Sequence, residues 1–209
     1  MSAPATPGPR RAAADRLEAG LDAWLALARR IARPVARAGG LLILAAAFLV
    51  AAEVLLRGLF AVSLGGADEL SGYALAIATS WGLAWVLVER GHVRVDALYT
   101  RLPGRLVALL DLLALLVLTG FLALLGQRAG LVLAESLAFD SRATTPLATP
   151  LWIPQSLWVA GFALHLLVAV PLTLRAGLAL LRGDRATVQR LAGSRTLAEE
   201  AAAERRGSA

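Results

Sequence analysis

The chain has 209 residues, is 58% hydrophobic, and carries a net charge of +6 from 21 basic and 15 acidic side chains. Soluble domains sit near about 45–50% apolar, and the excess here is gathered into four long runs, which excludes an ordinary soluble domain and points to membrane spans. The absence of cysteine excludes a disulfide framework, a Cys-ligated metal and a Cys nucleophile. Every basic residue is Arg, and the arginines flank apolar runs instead of forming a basic face. That distribution, with no recognisable motif, argues against nucleic acid as a partner and for membrane lipid.

Residues 1–14, with Pro4, Pro7 and Pro9 among small side chains, are expected to be disordered. Over 15–33, Leu17, Leu21, Trp24, Leu25, Ala28 and Ile31 recur at helical spacing, with Glu18, Asp22, Arg29, Arg30 and Arg33 largely off that face. This pattern predicts an amphipathic helix lying in the membrane interface and ending near Pro34. The alternative is a solvated helix packed on a partner. A first span follows at 38–60, apolar through Leu41 to Ala52 and polar at its far end, where Glu53 and Arg57 lie. It is long enough for a hydrocarbon layer about 30 Å thick, and too long for a cleaved signal peptide.

A short loop with Gly65 and Gly66 leads to Asp68, Glu69 and a second span at 71–88. That span stops at Glu89-Arg90-Gly91-His92, where Gly91 is expected to permit the turn out of the helix. The third span is placed at 106–126. Gln127 and Arg128 interrupt it, but the apolar pattern resumes over 131–134, so the helix is expected to extend beyond the bilayer to about Ala134. A Pro/Thr-rich segment then ends in Leu151-Trp152-Ile153-Pro154, and Trp152 and Trp158 suit an interfacial aromatic belt. The fourth span is placed at 155–174. Residues 175–209 form an Arg-rich tail in which 187–206 is either a short helix or without fixed structure.

Arginine asymmetry gives the orientation. Seven arginines precede the first span, four lie in the loop between the second and third spans, and seven follow the fourth. Only Arg57, Arg128 and Arg142 belong to the other side. Positive charge marks the cytoplasmic face. The expectation is an all-α integral membrane bundle of four transmembrane helices with an N-terminal interfacial amphipathic helix and both termini cytoplasmic, in a bacterial inner membrane.

The charges near the spans are few. Glu53 and Arg57 are spaced i, i+4 with the acid first, the better order for a pair. They are either a near-surface pair with Arg57 reaching outward or a contact to another helix or subunit. Asp68 and Glu69 suit capping of the second span, with a periplasmic partner as the sharper alternative. Asp111 could reach the middle-loop arginines. His165, midway along the fourth span, is a hydrogen-bonding residue between helices or, less conventionally, a proton or ion sensor. His92 and Asp96 could act as acid and base, but nothing beside them supplies a nucleophile, a metal set or a phosphate cradle, so no enzyme is expected. Arg94 and Asp96 could instead fix the loop by ion pairing.

Taken in order, these features resemble the small membrane subunit, DctQ-like, of tripartite ATP-independent periplasmic (TRAP) transporters. The resemblance rests on Arg57 closing the first span and Ala67-Asp68-Glu69-Leu70 opening the second. It continues through Trp81-Gly82-Leu83-Ala84, then Arg90-Gly91-His92-Val93-Arg94-Val95-Asp96 followed by Leu102-Pro103. It covers the four-span core, 38–174, and is loosest in the last third. It implies a large multi-span partner subunit (DctM-like) that carries substrate and sodium, and a periplasmic substrate-binding protein (DctP-like) that delivers an organic acid. It also implies no cofactor on this chain, and structural or subunit-contact roles for Arg57, Glu69, Gly91, His92, Arg94 and Asp96. The spans lack the Gly/Pro-broken helix pairs and inverted repeat of a secondary transporter's binding site. Small residues such as Gly39, Gly40, Gly82, Ala84 and Gly161 suit close helix packing. The competing reading is an independent small oligomeric channel or carrier.

Overall fold

The computed structural model describes residues 9–91 and 102–193. These form five helices: α1 (Pro9–Phe60), α2 (Ala67–Val88), α3 (Gly104–Ala138), α4 (Trp152–Leu181) and α5 (Arg185–Ala192). No strand occurs among them, only an isolated bridge between Arg142 and Pro150 in the α3–α4 loop. Four helices, α1 to α4, are long and apolar enough to cross a membrane.

α4 is the hub. It packs on α2 and α3 along much of its length, on the N-terminal half of α1, and on α5. Its apolar window is accordingly 39% buried, against 11% for that of α1. The contacts are close because small residues face one another. A Cβ on Gly161 of α4 would lie 2.6 Å from the Cβ of Ser80 and 2.7 Å from its backbone carbon on α2. A Cβ on Gly39 would lie 3.2 Å from the Cα of Ala78. Between α3 and α4 the hydroxyls of Thr119 and Thr173 meet at 3.1 Å. Each also donates to the carbonyl one turn back, Leu115 or Ala169, at 2.7 Å.

The largest departure from the sequence expectation is α1. Its 52 residues form one helix, about 78 Å long at about 1.5 Å per residue. It begins at Pro9, so residues 9–14, expected to be disordered, are helical. Pro34 lies inside it and does not end it. Proline removes one hydrogen bond and crowds the carbonyl four residues back, but tertiary contacts on both sides of Pro34 hold the axis. Before it, Leu25, Ala28 and Ala32 are buried against Val168, Ala169, Leu172 and Ala176 of α4, with Ala84 and Leu87 of α2. After it, Gly39 rests on α2. The segment 15–33 is therefore the first part of a continuous helix docked on its own bundle, not a separate helix lying free in the interface.

A second proline explains part of that docking. Pro171, inside α4, has no N–H to offer the carbonyl of Leu167, four residues earlier. The indole N–H of Trp24 donates to that carbonyl at 2.8 Å. Below it, Arg175 bridges Glu18 and Asp22 at 3.3 and 3.2 Å. Arg182 bridges Asp15 and Glu18 at 3.1 and 2.9 Å. Acids that the sequence pattern assigns to a solvated face are thus the seam between α1 and α4.

Helix ends also differ from expectation. α2 closes with Arg90, not Gly91, in the left-handed region, at φ 53°. The amide of Gly91 donates to Val86 at 2.9 Å and that of Arg90 to Leu87 at 3.1 Å, the paired bonds of a Schellman turn. α3 runs to Ala138, beyond the expected 134. The turn after α4 uses Gly183, at φ 75°, with the amide of Asp184 donating to Ala179 at 2.9 Å. The Asp184 carboxylate then caps α5, accepting from the Thr187 amide at 3.0 Å and its hydroxyl at 2.6 Å. This bond, with Arg190 and Arg175 nearby, holds the Asp184 carboxyl below its ordinary range. Within the tail, residues 185–192 are therefore helical, and Val188 is buried with Ala108 and Ala179.

Candidate functional site

The expected site residues divide between the two ends of the bundle. Glu53, Arg57, Asp68 and Glu69 come together at the loop end, opposite the termini, around a cleft of about 200 Å³ that also takes in Ser63, Gly65, Gly66, Thr145 and Pro146. Gly91 lies at the other end of α2, about 33 Å away by the length of a 22-residue helix. His92, Arg94 and Asp96 lie outside the described residues.

Glu53 is buried near the far end of α1. Its carboxylate accepts from the hydroxyl of Ser63 and from the backbone N–H of Leu64, both at 2.7 Å. Arg57 stands 4.0 Å away, with its side chain 62% exposed. The i, i+4 pair read from the sequence exists, but it is loose. The main partners of Glu53 are the loop's own donors, which fold the chain back from α1 toward α2. Buried carboxylates are tolerated when hydrogen-bonded this way.

Glu69 does the equivalent job for a different pair of elements. Its carboxylate accepts from the hydroxyl of Tyr73 at 2.9 Å and from that of Thr145 in the α3–α4 loop. The expected capping bond is absent: Gly66 is the N-cap of α2, with no side-chain bond to the helix amides. Asp68 is exposed beside it. Both acids still lie in the first turn, where negative charge is favourable.

The two loops touch directly. Gly65 has φ +70° and packs on Pro146. A Cβ on Gly66 would fall 2.6 Å from Cγ of Leu147. Sequence reading missed Ser63, Thr145, Pro146 and Leu147. Tyr73 was findable, one helical turn after Glu69. Thr145 was not, because its partner lies 76 residues away.

Asp111 on α3 and His165 on α4 are both fully buried, and each has an interaction partner. They lie on different helices from the loop-end cluster and do not line its cleft. Among the described residues no group of His, Cys, Asp and Glu is placed to hold a metal ion. The arrangement is one of mechanical ties, with an exposed acid and an exposed base at the rim.

A family model, Tripartite ATP-independent periplasmic transporters, DctQ component, matches residues 46–178. The chain belongs to the DctQ family. No curated protein and no solved structure matched it. This DctQ chain is the small membrane subunit of a tripartite transporter, a component of a transport system and not of an enzyme family. Its four apolar helices fit a multi-pass membrane protein. The match begins within the apolar part of α1 and ends in α4. The N-terminal half of α1 and all of α5, which build the terminus end of this DctQ fold, lie outside it.

Proposed function

We propose that this subunit holds a large, DctM-like permease subunit in the bacterial inner membrane and offers its loop end to a DctP-like periplasmic binding protein. The uptake is of an organic acid, driven by an ion gradient. The observation that carries this reading is the loop-end cluster. Glu53 fixes the α1–α2 loop and Glu69 fixes the α3–α4 loop, so two separate loops form one platform. Asp68 and Arg57 stand exposed at its rim. A platform of this kind suits docking and not chemistry.

Two further features support it. The arginine asymmetry supports cytoplasmic termini and a periplasmic platform, since positive charge favours the cytoplasmic face. The span of α1 is covered by little of its own chain, with Leu41, Phe48 and Leu59 at 67%, 70% and 72% exposure, which leaves a long apolar face for lipid and for another subunit. Coupling ions, sodium by expectation, then belong to the large subunit, and this chain carries no cofactor. The test is purification in mild detergent of a tagged chain co-expressed with its large subunit. The expected result is a stable complex of the two. Recovery of this chain alone, with the large subunit demonstrably present in the membrane, overturns the reading.

A further inference from the structure

We propose that the outward face of α1 just before its span, formed by Arg29, Arg30, Arg33 and Arg37, is a binding site for the phosphate headgroup of anionic phospholipid. With about 3.6 residues per turn, these four positions fall within an arc of about 100° and along about 12 Å of helix. All four are exposed, and no ion pair involves any of them among the described residues. The acids of α1 that precede the stripe, Asp15, Glu18 and Asp22, are already engaged by Arg175 and Arg182 on the α4 side. No acidic residue occurs between Asp22 and Glu53. Four guanidinium groups therefore share one face with no counter-charge among the described residues. Guanidinium is the side chain best shaped to hold phosphate oxygens two at a time.

The unbroken helix decides the source of that phosphate. Because α1 does not stop at Pro34, the same face continues in register into Leu41, Leu44 and Phe48, which are 67%, 52% and 70% exposed. The change from arginine to apolar occurs within about one turn. A phospholipid matches both halves, its phosphate on the arginines and its acyl chains along the leucines and Phe48. A free phosphate matches only the first. Basic clusters immediately outside a span are the arrangement that anionic leaflets attract, each charge strengthening association by about fivefold. The four arginines lie outside residues 46–178, the part of the chain that the family model matches.

The test is native mass spectrometry of the full chain in neutral detergent, titrated with dioleoylphosphatidylglycerol, dioleoylphosphatidylcholine or inorganic phosphate. Phosphatidylglycerol is expected to bind at least about tenfold more tightly than phosphatidylcholine. The variant R29Q/R30Q/R33Q/R37Q loses that preference. The control R195Q/R205Q/R206Q, which removes three tail arginines, keeps it. Equal binding of the two lipids by the unmodified chain overturns the proposal. So does an unchanged preference in the four-arginine variant, or an equal loss in the tail control, which would make the effect one of net charge. Competition by inorganic phosphate at the lipid's own concentration also overturns it, since the site would then be a free-anion site. Should the fourfold variant fail to fold, R29Q/R33Q and R30Q/R37Q each must show a partial loss. These outcomes do not depend on whether the large subunit co-purifies.

Discussion

At the scale of single residues, the bundle is organised by where backbone groups find partners. The carbonyl of Leu167 depends on Trp24 because Pro171 cannot serve it. Trp24→Phe is expected to cost about 0.5–1.5 kcal/mol, the net worth of one hydrogen bond. Pro171→Ala restores the intrahelical donor, so Trp24→Phe should cost less in that background. Thermal melting in detergent of both single variants and the double variant checks the coupling; strictly additive effects contradict it. Gly161 is the tightest small-residue contact between spans, whereas Gly82 has nothing within 4 Å of its missing Cβ. Gly161→Val is expected to destabilise by about 1–3 kcal/mol, as overpacking does, while Gly82→Val leaves the melting temperature nearly unchanged. Both glycines are visible in the sequence as small residues in spans. Which one touches a neighbouring helix depends on how α2 and α4 are rotated, and hydropathy does not carry that.

At the scale of elements, four apolar runs were legible because length and hydropathy are local properties. The helix limits were less so. Pro34 reads as a stop from the local rule, yet Leu25, Ala28, Ala32 and Gly39 pack on either side of it and the helix continues. The acids Glu18 and Asp22 read as a solvated face because Arg175, their partner, is some 150 residues away. The loop-end site was half legible. Its four charged residues were singled out, but their partners Ser63 and Thr145 come from loops, where no periodicity signals a contact. The cap of α5 is sensitive to pH. The Asp184 carboxyl is held below its ordinary value by its bonds to Thr187. Its folded value lies below its unfolded one, so its contribution is present in full above the ordinary aspartate range and fades as pH falls through the depressed folded value. The protection of the amides of Val188 to Ala192 against hydrogen exchange, measured relative to their intrinsic exchange rates at each pH, should therefore be high at neutral pH and fall at strongly acidic pH. Asp184→Asn should lower that protection at neutral pH and flatten its pH dependence. Identical profiles for the two proteins would contradict the role given to the cap.

At the scale of the whole molecule, the fold is a hub helix, α4, with three long helices against it and a polar clamp at each end. At the loop end the clamp joins two loops through Glu53 and Glu69. At the terminus end it joins α1 to α4 through Arg175 and Arg182. Between the clamps the helices present apolar surface outward, and only a lipid layer or another subunit can cover it favourably. This division suits a subunit that is held rigid itself and braces a larger one. It also makes the sidedness of the two clamps the point on which the partners and the docking platform depend.

The absence of cysteine from the chain makes that sidedness directly measurable with single cysteines and a membrane-impermeant maleimide in spheroplasts. Val62→Cys and Thr144→Cys, at the loop end, are expected to react in intact cells. Ala186→Cys in α5 and Ser208→Cys in the tail are expected to react only after the membrane is opened. Labelling of Ala186→Cys or Ser208→Cys in intact spheroplasts, with Val62→Cys and Thr144→Cys protected, would contradict the account.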